Sequence, residues 1–391
     1  MATLGNVKRK VETIMTTRGE SRSLFLESFL FAISICYGAL VQQRDTLYKK
    51  GLLQSKKLPC PVISIGNLTV GGSGKTPMTI YLAEFLRRFG YSVAIISRGY
   101  KGKEEKIGGV VSDGRIVCMG PDKAGDEPFM IAKRLKTVPV IVGQDRYKAG
   151  RLAIKEFQPD VLLLDDAFQH LRLHRDIDLV LLDSKKPFGN TYLLPRGTLR
   201  ESAFALSRGD ALILTRSDIG NPVPLEQIKR FIPGKPIFHS VHTPYIYKIV
   251  AGNNPQSQNG TKILSGYSFE LFKNKRVFAF SGIARNDDFL QTVKDINCEV
   301  SGFSEFQDHH EYTNRELNTI LNAAMDLSVD FIITTEKDYI RVAHKIKWPI
   351  DLVVIGVEIS FGENDIAFKS FIKSRLEEYY KGKGMKTNEP S

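Results

Sequence analysis

Short apolar runs alternate with segments of helical periodicity between residues 61 and 216. Each run is apolar at consecutive positions, which is typical of strands in a parallel sheet that helices cover on both faces. The runs are PVISIG at 61–66, SVAIIS at 92–97, VPVIVG at 138–143, VLLLDD at 161–166, LVLLD at 179–183 and ALILTR at 211–216. Asp113 and Gly114 separate two short β-type runs and predict an inserted hairpin over 110–117. The pattern as a whole predicts an α/β fold with a mostly parallel sheet flanked by helices.

A second β/α series follows towards the end of the chain. It comprises RVFAFSG at 276–282, a helix from Asp287, FIITTEKD at 331–338, LVVIGVEI at 352–359 and a last helix that ends near Tyr380. The sequence NNPQSQNGT at 253–261 separates the two series and is polar, rich in turn residues and without periodicity. We therefore predict an N-terminal segment over 1–57, a core over 58–252, a linker over 253–262, a smaller C-terminal α/β domain over 263–380 and a disordered tail over 381–391.

The most apolar segment of the chain is LFLESFLFAISICYGALV at 24–41. Its length is at the lower limit for a membrane-spanning helix. Lysines and arginines flank it on both sides, whereas a spanning helix usually carries that excess on its cytoplasmic side only. We therefore predict a helix that lies on or dips into the inner leaflet, where basic residues meet anionic headgroups. A buried core helix is the alternative; a signal peptide is disfavoured because no A-x-A cleavage site follows.

The composition limits the class of protein and of partner. The chain has 391 residues, of which 42% are hydrophobic, enough for a large core in two domains. The formal charge of +12 indicates an anionic partner, which is a nucleic acid, an anionic membrane surface or a phosphorylated substrate. Cys36, Cys60, Cys118 and Cys298 form no C-x-x-C pair and no cluster of zinc-type spacing, as expected for unpaired thiols in a reducing compartment.

A glycine-rich turn follows the first apolar run, in the sequence PVISIGNLTVGGSGKTP at 61–77. In such a turn backbone N–H groups converge on a phosphate at a helix N-terminus, Lys75 reaches the β- and γ-phosphates and the Thr76 hydroxyl ligates Mg²⁺. The predicted nucleotide site comprises Thr69, Val70, Gly71, Gly72, Ser73, Gly74, Lys75 and Thr76. Thr69 stands where the Walker pattern has a glycine, so the loop is an atypical variant.

Two adjacent carboxylates, Asp165 and Asp166, end the buried run in VLLLDDAFQH at 161–170. In a P-loop enzyme an acid at this position meets the Mg²⁺ ion. Successive side chains of a strand point to opposite faces, so we expect one carboxylate to face the metal and the other to support the site. The alternative is that both only cap the following turn.

For three further charged groups, the local sequence does not decide between a structural and a functional role. Asp126 opens a helix in AGDEP and has an ordinary role as its N-cap, with Glu127 complementing the helix dipole. Arg200, in LPRGTLRE at 194–201, is a candidate phosphate clamp, but a solvated charged face is equally consistent with the pattern. His309 and His310 form a pair in QDHHEY, which without further ligands is not a metal site.

These motifs occur in one order along the chain: GNLTVGGSGKTP, AGDEP, DDAFQH, LPRGTLRE, FSGIA, DHHEY and TTEKD. With the apolar N-terminal helix, they resemble the tetraacyldisaccharide 4'-kinases, the lipid A 4'-kinases of Gram-negative bacteria, over about 24–361. The resemblance implies an enzyme that uses ATP and Mg²⁺ to phosphorylate the 4'-hydroxyl of an acylated glucosamine disaccharide 1-phosphate, giving lipid IVA. It also implies a peripheral or monotopic protein at the cytoplasmic face of the bacterial inner membrane, which we expect to be a monomer.

The resemblance assigns roles by motif. It implies that Asp126 accepts the proton of the 4'-hydroxyl and that His309 is its partner. The other implied roles are Lys75 and Thr76 as the P-loop pair, Glu127, Asp165 and Asp166 as metal-site acids, and Arg200 and Glu201 as a pair that faces substrate and nucleotide. The chain departs from the family pattern at Ala167, where other members often have glycine, and at Arg285-Asn286, where many have proline.

Two other classes of protein are weaker interpretations of the same residues. A membrane-docked nucleotide switch of the GTPase type needs N-K-x-D, and the nearest segment, TRSD at 215–218, lacks both key residues. The signature lysine of the K-G-G-x-G-K-[ST] ATPases is also absent, because Val70 occupies its position. Nucleic-acid binding is suggested by charge alone, without interleaved basic and aromatic residues, so we expect no nucleic-acid partner.

Overall fold

The computed structural model describes residues 11, 13–15, 24–218, 223–252 and 269–384. The predicted linker at 253–262, the tail beyond residue 384 and most of the basic segment before residue 24 lie outside the described residues. Within the described part, two mostly parallel sheets are flanked by helices. The predicted α/β fold class is therefore confirmed.

The first sheet contains the strand that leads into the glycine-rich turn. Its strands are β1 (Val62–Asn67), β2 (Val93–Ser97), β3 (Gly109–Asp113), β4 (Pro139–Val142), β5 (Val161–Asp165), β6 (Ile177–Asp183), β7 (Ala211–Thr215) and β8 (Ile237–His239). They lie in the order β3-β4-β2-β5-β1-β6-β7-β8, and only β3 runs antiparallel to its neighbour. Strand β1 is central, between β5 and β6, and all three strands are fully buried because helices cover both faces.

The predicted hairpin over 110–117 is only partly present. Its Asp-Gly turn forms, with Asp113 Oδ1 accepting hydrogen bonds from two backbone N–H groups of the turn, each at 2.7 Å. The first arm, however, is β3, which pairs with β4 and becomes an edge strand of the first sheet. The returning arm pairs only through a bridge between Ser112 and Val117. The edge of an existing sheet offers β3 a row of unpaired backbone groups, which a short hairpin cannot match.

The second sheet is smaller and contains strands from both sides of the predicted linker. Its strands are β9 (Val241–Val250), β10 (Arg276–Ser281), β11 (Glu299–Glu305), β12 (Phe331–Thr335) and β13 (Leu352–Ser360). Their order is β11-β10-β12-β13-β9, with β9 antiparallel to β13 and the other pairs parallel. Because β9 precedes the linker, the sheet of the predicted C-terminal domain begins about ten residues before the predicted domain limit at residue 252. The division into domains stays a prediction.

Helices cover the faces of both sheets. They are α1 (Leu24–Lys49), α2 (Lys75–Arg88), α3 (Pro121–Ala124), α4 (Asp126–Arg134), α5 (Arg146–Phe157), α6 (Leu225–Lys229), α7 (Asn286–Asp295), α8 (Asn314–Asp326), α9 (Glu336–Val342) and α10 (Asp365–Gly382). Helix α10 ends the described chain but returns to the first sheet, where Phe368, Ile372 and Leu376 are buried in the same core as β1 and α2. Core packing therefore joins the last helix to the first sheet.

Helix α1 continues to Lys49, eight residues beyond the predicted apolar segment. Among the described residues it is the one helix that is long and apolar enough to cross a membrane, by length and composition only. Its outer face exposes large apolar side chains, with 86% of Phe25, 55% of Phe29, 59% of Ile35 and 66% of Leu40 accessible. The alternative of a buried core helix does not fit these exposures.

Polar contacts attach the inner face of α1 to the segment 193–201. Ser34 Oγ donates a hydrogen bond to the Leu193 carbonyl at 3.1 Å, and the Tyr37 hydroxyl donates to the Arg200 carbonyl at 2.8 Å. Arg44 Nη2 lies 2.9 Å from Glu201 Oε1. Helix α1 is thus a packed part of the protein with one exposed apolar face.

Candidate active site

A cavity of about 1520 Å³ lies between the carboxyl ends of the first sheet's strands and the second sheet. The first sheet contributes the turn over 70–76, the start of α4 and Asp166, which follows β5. The second sheet contributes Ala284, Arg285, His309 and the start of α9. Ligands of open α/β sheets bind outside the carboxyl ends of the strands, so this cavity is the candidate site.

The glycine-rich turn has the geometry of a phosphate-binding loop. Gly71 and Gly74 have φ angles of 111° and 83°, which favour glycine, and Gly74 is the N-cap residue of α2. Asn67 Nδ2 donates hydrogen bonds to the Thr69 carbonyl at 2.6 Å and to Ser73 Oγ at 2.9 Å. Thr69 itself pairs with Leu199 in an antiparallel bridge. The extended pairing explains why this position accepts a threonine where the Walker pattern has glycine.

The two acids at the end of β5 have opposite environments. Asp165 is buried and accepts a hydrogen bond from Thr79 Oγ1 at 3.1 Å. Burial raises the pKa of Asp165 to about 7, and the charges of Glu127 and Asp166 act in the same direction. The pKa of Asp166 falls to about 2, because the charges of Lys75 and Arg200 outweigh the effect of its burial. The two carboxylates therefore differ in pKa, and the assignment of one to the metal and the other to support stays a prediction.

Asp166 lies directly against the P-loop lysine. Its Oδ1 atom is 3.7 Å from Lys75 Nζ and accepts a hydrogen bond from Arg200 Nη1 at 2.7 Å. The neighbouring Glu201 is buried, and its carboxylate binds Arg44 of α1 and Arg208. The sequence grouped Arg200 and Glu201 as one clamp. Arg200 contacts Asp166 and Glu201 contacts helix α1, and both residues line the cavity, so their role as a clamp stays a prediction.

The predicted metal ligands have the right chemistry for Mg²⁺. Thr76, Glu127, Asp165 and Asp166 supply hydroxyl and carboxylate oxygens, the donors that this ion prefers. The raised pKa of Asp165 comes partly from Glu127 and Asp166, and a divalent cation would relieve that accumulation of negative charge. Among the described residues no cluster of three or more His, Cys, Asp or Glu side chains is arranged to hold a metal by itself. That is consistent with an ion held largely by nucleotide phosphates and water.

Asp126 begins α4 but does not cap it. The N-cap residue is Gly125, and no side-chain cap hydrogen bond is present there. The Asp126 carboxylate instead reaches the second sheet, where Oδ2 lies 3.2 Å from His309 Nδ1 and 2.6 Å from Arg341 Nη2. Asp126 and His309, which are 183 positions apart, are therefore neighbours.

Two cations of α9 complete this group, and no role was predicted for either. Arg341 also donates through Nε to Asp126 Oδ2 at 2.9 Å. Lys337 Nζ lies 3.2 Å from His309 Nε2 and 3.0 Å from Asp308 Oδ1. Lys337 belongs to the TTEKD motif, one of the motifs of the family resemblance, whereas Arg341 lies beyond the motif and carries no comparable signal.

Arg341 should stabilise the fold through Asp126 in a pH-dependent way. Burial raises the pKa of Asp126, but hydrogen bonds from His309 and Arg341 lower it to about 2. A depressed carboxylate pKa stabilises the protein above the unfolded value near 4, and this contribution is lost as the pH falls through 2. Arg341→Met should therefore lower the free energy of unfolding by about 1–3 kcal/mol at pH 7 and by clearly less at pH 2.5.

Urea unfolding of the wild type and Arg341→Met at both pH values measures this difference. Arg315→Met is the matched control, since Arg315 is exposed on the neighbouring helix α8. An equal loss at both pH values would show that Arg341 contributes through packing and not through the carboxylate of Asp126.

The fold and the site define a class of protein. A mostly parallel sheet with a P-loop after β1 and an acid pair at the end of β5 is the arrangement of the P-loop nucleotide-binding proteins. The sequence pattern of the tetraacyldisaccharide-1-P 4'-kinase family matches residues 26–377, which is most of the chain. The chain belongs to this family, and the resemblance inferred from its motifs is confirmed.

Individual relatives agree with the family match. The chain is 40% identical over 376 residues to a tetraacyldisaccharide 4'-kinase from Desulfatibacillum aliphaticivorans, covering 96% of this chain and 99% of the relative. It is 38% identical to one from Syntrophus aciditrophicus, covering 86% and 89%. A crystal structure of LpxK from Aquifex aeolicus in complex with ATP superposes with a TM-score of 0.70 at 34% identity, over 90% of this chain and 100% of that one.

Proposed function

We propose that this protein is an ATP-dependent kinase that transfers a phosphoryl group to the 4'-hydroxyl of a tetraacyldisaccharide 1-phosphate, giving lipid IVA in lipid A biosynthesis. One structural observation supports the proposal in addition to family membership. The cavity lined by the P-loop and Lys75 is also lined by His309, whose Nδ1 atom lies 3.2 Å from the carboxylate of Asp126. A candidate proton acceptor and a phosphate-binding loop in one cavity are the parts that a kinase needs.

The P-loop holds the phosphates of ATP in this proposal. Residues 71–76 line the cavity, where their backbone N–H groups would bind phosphate, and Lys75 neutralises charge on the β- and γ-phosphates. Thr76, Glu127, Asp165 and Asp166 would hold Mg²⁺, which supplies charge neutralisation at the transferred phosphoryl group. Arg200, next to Asp166, adds a further cation on the same side. Catalysis then rests on positioning and electrostatic stabilisation.

Asp126 receives the proton of the 4'-hydroxyl as the bond to phosphorus forms. The contacts from His309 and Arg341 fall on Oδ2, so Oδ1 is the atom that faces the acceptor hydroxyl in this proposal. His309 orients the carboxylate through Nδ1. The carboxylate is ionised at neutral pH because its pKa is lowered to about 2, so it is ready to accept a hydrogen bond from the hydroxyl.

The acceptor lipid reaches the site from a membrane. We propose that α1 rests with its exposed apolar face in the inner leaflet at the cytoplasmic side of the bacterial inner membrane, as a peripheral or monotopic protein. The support is the exposed apolar side chains of α1 and the positive formal charge of +12, which suits anionic headgroups. We expect the enzyme to act there as a monomer and without nucleic acid.

Mass spectrometry of the lipid tests the proposed reaction. Purified protein, ATP, Mg²⁺ and tetraacyldisaccharide 1-phosphate in mixed micelles should yield a product heavier by one phosphate. The matched control is the same lipid with hydrogen in place of the 4'-hydroxyl, which should stay unmodified. ATP consumption without any phosphorylated lipid, or phosphorylation of the 4'-deoxy lipid, would contradict the assignment.

Replacing the outer apolar residues of α1 should weaken membrane binding without harming the nucleotide site. Serine at Phe25, Phe29, Ile35 and Leu40 should lower partition onto anionic vesicles by about tenfold or more, because each apolar side chain gains about 1–3 kcal/mol when buried. The KM for lipid should rise while the KM for ATP stays within about twofold.

Vesicle sedimentation and steady-state kinetics measure the two effects. Serine at Gln42 and Gln43, exposed polar positions on the same helix, is the control. Full vesicle binding by the fourfold serine variant, with an unchanged KM for lipid, would remove α1 from the membrane contact.

A further inference from the structure

The imidazole of His309 lies among four ionic groups. Its Nδ1 atom is 3.2 Å from both Asp126 Oδ2 and Arg341 Nη2. Its Nε2 atom is 3.2 Å from Lys337 Nζ and 3.9 Å from Asp308 Oδ1. Each ring nitrogen therefore has its own charged neighbours, and these neighbours restrict where the ring proton can sit.

The Nε2 side admits one arrangement of protons. A lysine ammonium has three N–H donors and no acceptor, so at 3.2 Å from Lys337 the Nε2 atom must be the acceptor. In a neutral imidazole the proton is then on Nδ1. The opposite tautomer would point an N–H group at an ammonium group, which is repulsive.

The Nδ1 side is consistent with the same tautomer. With its proton on Nδ1, His309 donates to Asp126 Oδ2, which is an acceptor. Arg341 Nη2 has its own bond to that oxygen at 2.6 Å, so its approach to Nδ1 follows from their shared acceptor. The other tautomer would place the lone pair of Nδ1 against the carboxylate of Asp126.

Lys337 is held in position for this contact. It lies in the first turn of α9, directly after β12, and 19% of its side chain is exposed. Asp308 Oδ1 accepts from Nζ at 3.0 Å, and Glu127 Oε1 lies 3.6 Å away. Two carboxylates thus orient the ammonium group, and each is a chain neighbour of a member of the Asp126–His309 pair.

We propose that Lys337 is a positioning residue that fixes the Nδ1–H tautomer of His309 and thereby the hydrogen bond to Asp126. The kinetic consequence of this role rests on the proposed kinase function, whereas the tautomer can be measured without turnover. In His–Asp pairs of other enzymes, an imidazole held in the wrong tautomer lowers kcat by up to about 10⁴-fold. Without Lys337 both tautomers of His309 are accessible and neither is enforced. We therefore expect a smaller fall in kcat, of about 10- to 100-fold.

Nitrogen-15 NMR of the full-length protein tests the tautomer directly. Histidine is labelled with ¹⁵N, the spectrum is recorded at pH 8.5, and the signal of His309 is assigned by its absence in His309→Gln. The wild type should show the Nδ1–H form, Lys337→Met a mixture of both tautomers, and Lys337→Arg, which keeps a cationic donor, the wild-type pattern. An Nε2–H form in the wild type, or the same tautomer in Lys337→Met, would overturn the proposal whether or not the protein phosphorylates lipid.

Kinetics test whether Lys337 acts through His309. Lys337→Met should lower kcat by about 10- to 100-fold with the KM for ATP within about twofold, while Lys294→Met, at an exposed site on α7, stays unchanged. In the His309→Gln background the same substitution should have less than a threefold further effect. Multiplicative losses, or an effect mainly on KM, would show that Lys337 touches substrate or metal instead. If the wild type makes no lipid product, the proposed function fails, and the NMR result alone decides the tautomer.

Discussion

Lys75→Ala is expected to lower kcat by about 10³-fold or more with ATP saturating, because it removes the cation aimed at the transferred phosphate. Lys75 Nζ is 3.7 Å from Asp166 Oδ1, and its charge helps to hold the pKa of Asp166 at about 2. The substitution therefore removes a phosphate ligand and also alters the acid pair. Folding should survive, since Lys75 is at the first position of α2 and most of the buried apolar residues of that helix are unaffected.

Rates of lipid phosphorylation, with circular dichroism as a check of folding, measure this effect. Lys273→Ala removes an exposed lysine elsewhere and should leave the rate unchanged. At the next residue, Thr76→Ser keeps a hydroxyl and should retain most of the activity, whereas Thr76→Ala should lose most of it. Near-normal turnover of a folded Lys75→Ala protein would exclude the P-loop assignment.

Asp126→Asn is expected to lower kcat by about 10² to 10⁴-fold while ATP affinity stays nearly intact. An amide at this position cannot accept the hydroxyl proton. His309→Ala should cause a smaller loss of the same kind, because in the proposed mechanism the imidazole, 3.2 Å from Asp126 Oδ2, orients the carboxylate. The double variant should be less impaired than the product of the two single losses, since residues that act as a unit are not additive.

The competing explanation is a purely structural role for Asp126. The carboxylate does not cap α4, but it forms ion pairs with groups on the second sheet, and their loss destabilises the protein. Thermal unfolding and single-turnover kinetics of Asp126→Asn separate the two roles. A variant that melts earlier yet turns over normally would make Asp126 a structural link and nothing more.

The parts of the fold that sequence predicted are those with local signals. The first sheet could be predicted because its strands are apolar at consecutive positions. The P-loop could be predicted because its turn, lysine and helix are contiguous. Strand β9 (VHTPYIYKIV) was missed because its residues are mostly half-buried, and Pro244 interrupts it. It pairs with β13, more than one hundred positions further on, a contact without any local signature.

Contacts between residues far apart in the sequence also limited the prediction of the site. The Asp126–His309 pair was anticipated from motifs that resemble a family, not from spacing. Arg341 is 215 positions from Asp126, and its role depends on how α9 packs against α4. The family resemblance implies a pair of Arg200 and Glu201, but the contact of Glu201 with Arg44, 157 positions away, has no local sequence signal.

The return of α10 to the first sheet bears on how the protein is made. During synthesis the first sheet leaves the ribosome early, but part of its core consists of Phe368, Ile372 and Leu376 from the end of the described chain. Until that helix emerges, an apolar face of the nascent protein lacks its native cover, which is a condition that attracts chaperones and favours aggregation. A chain that ends near residue 360 would contain all of its sequence motifs. The core of its first sheet, however, would lack the three apolar side chains of α10.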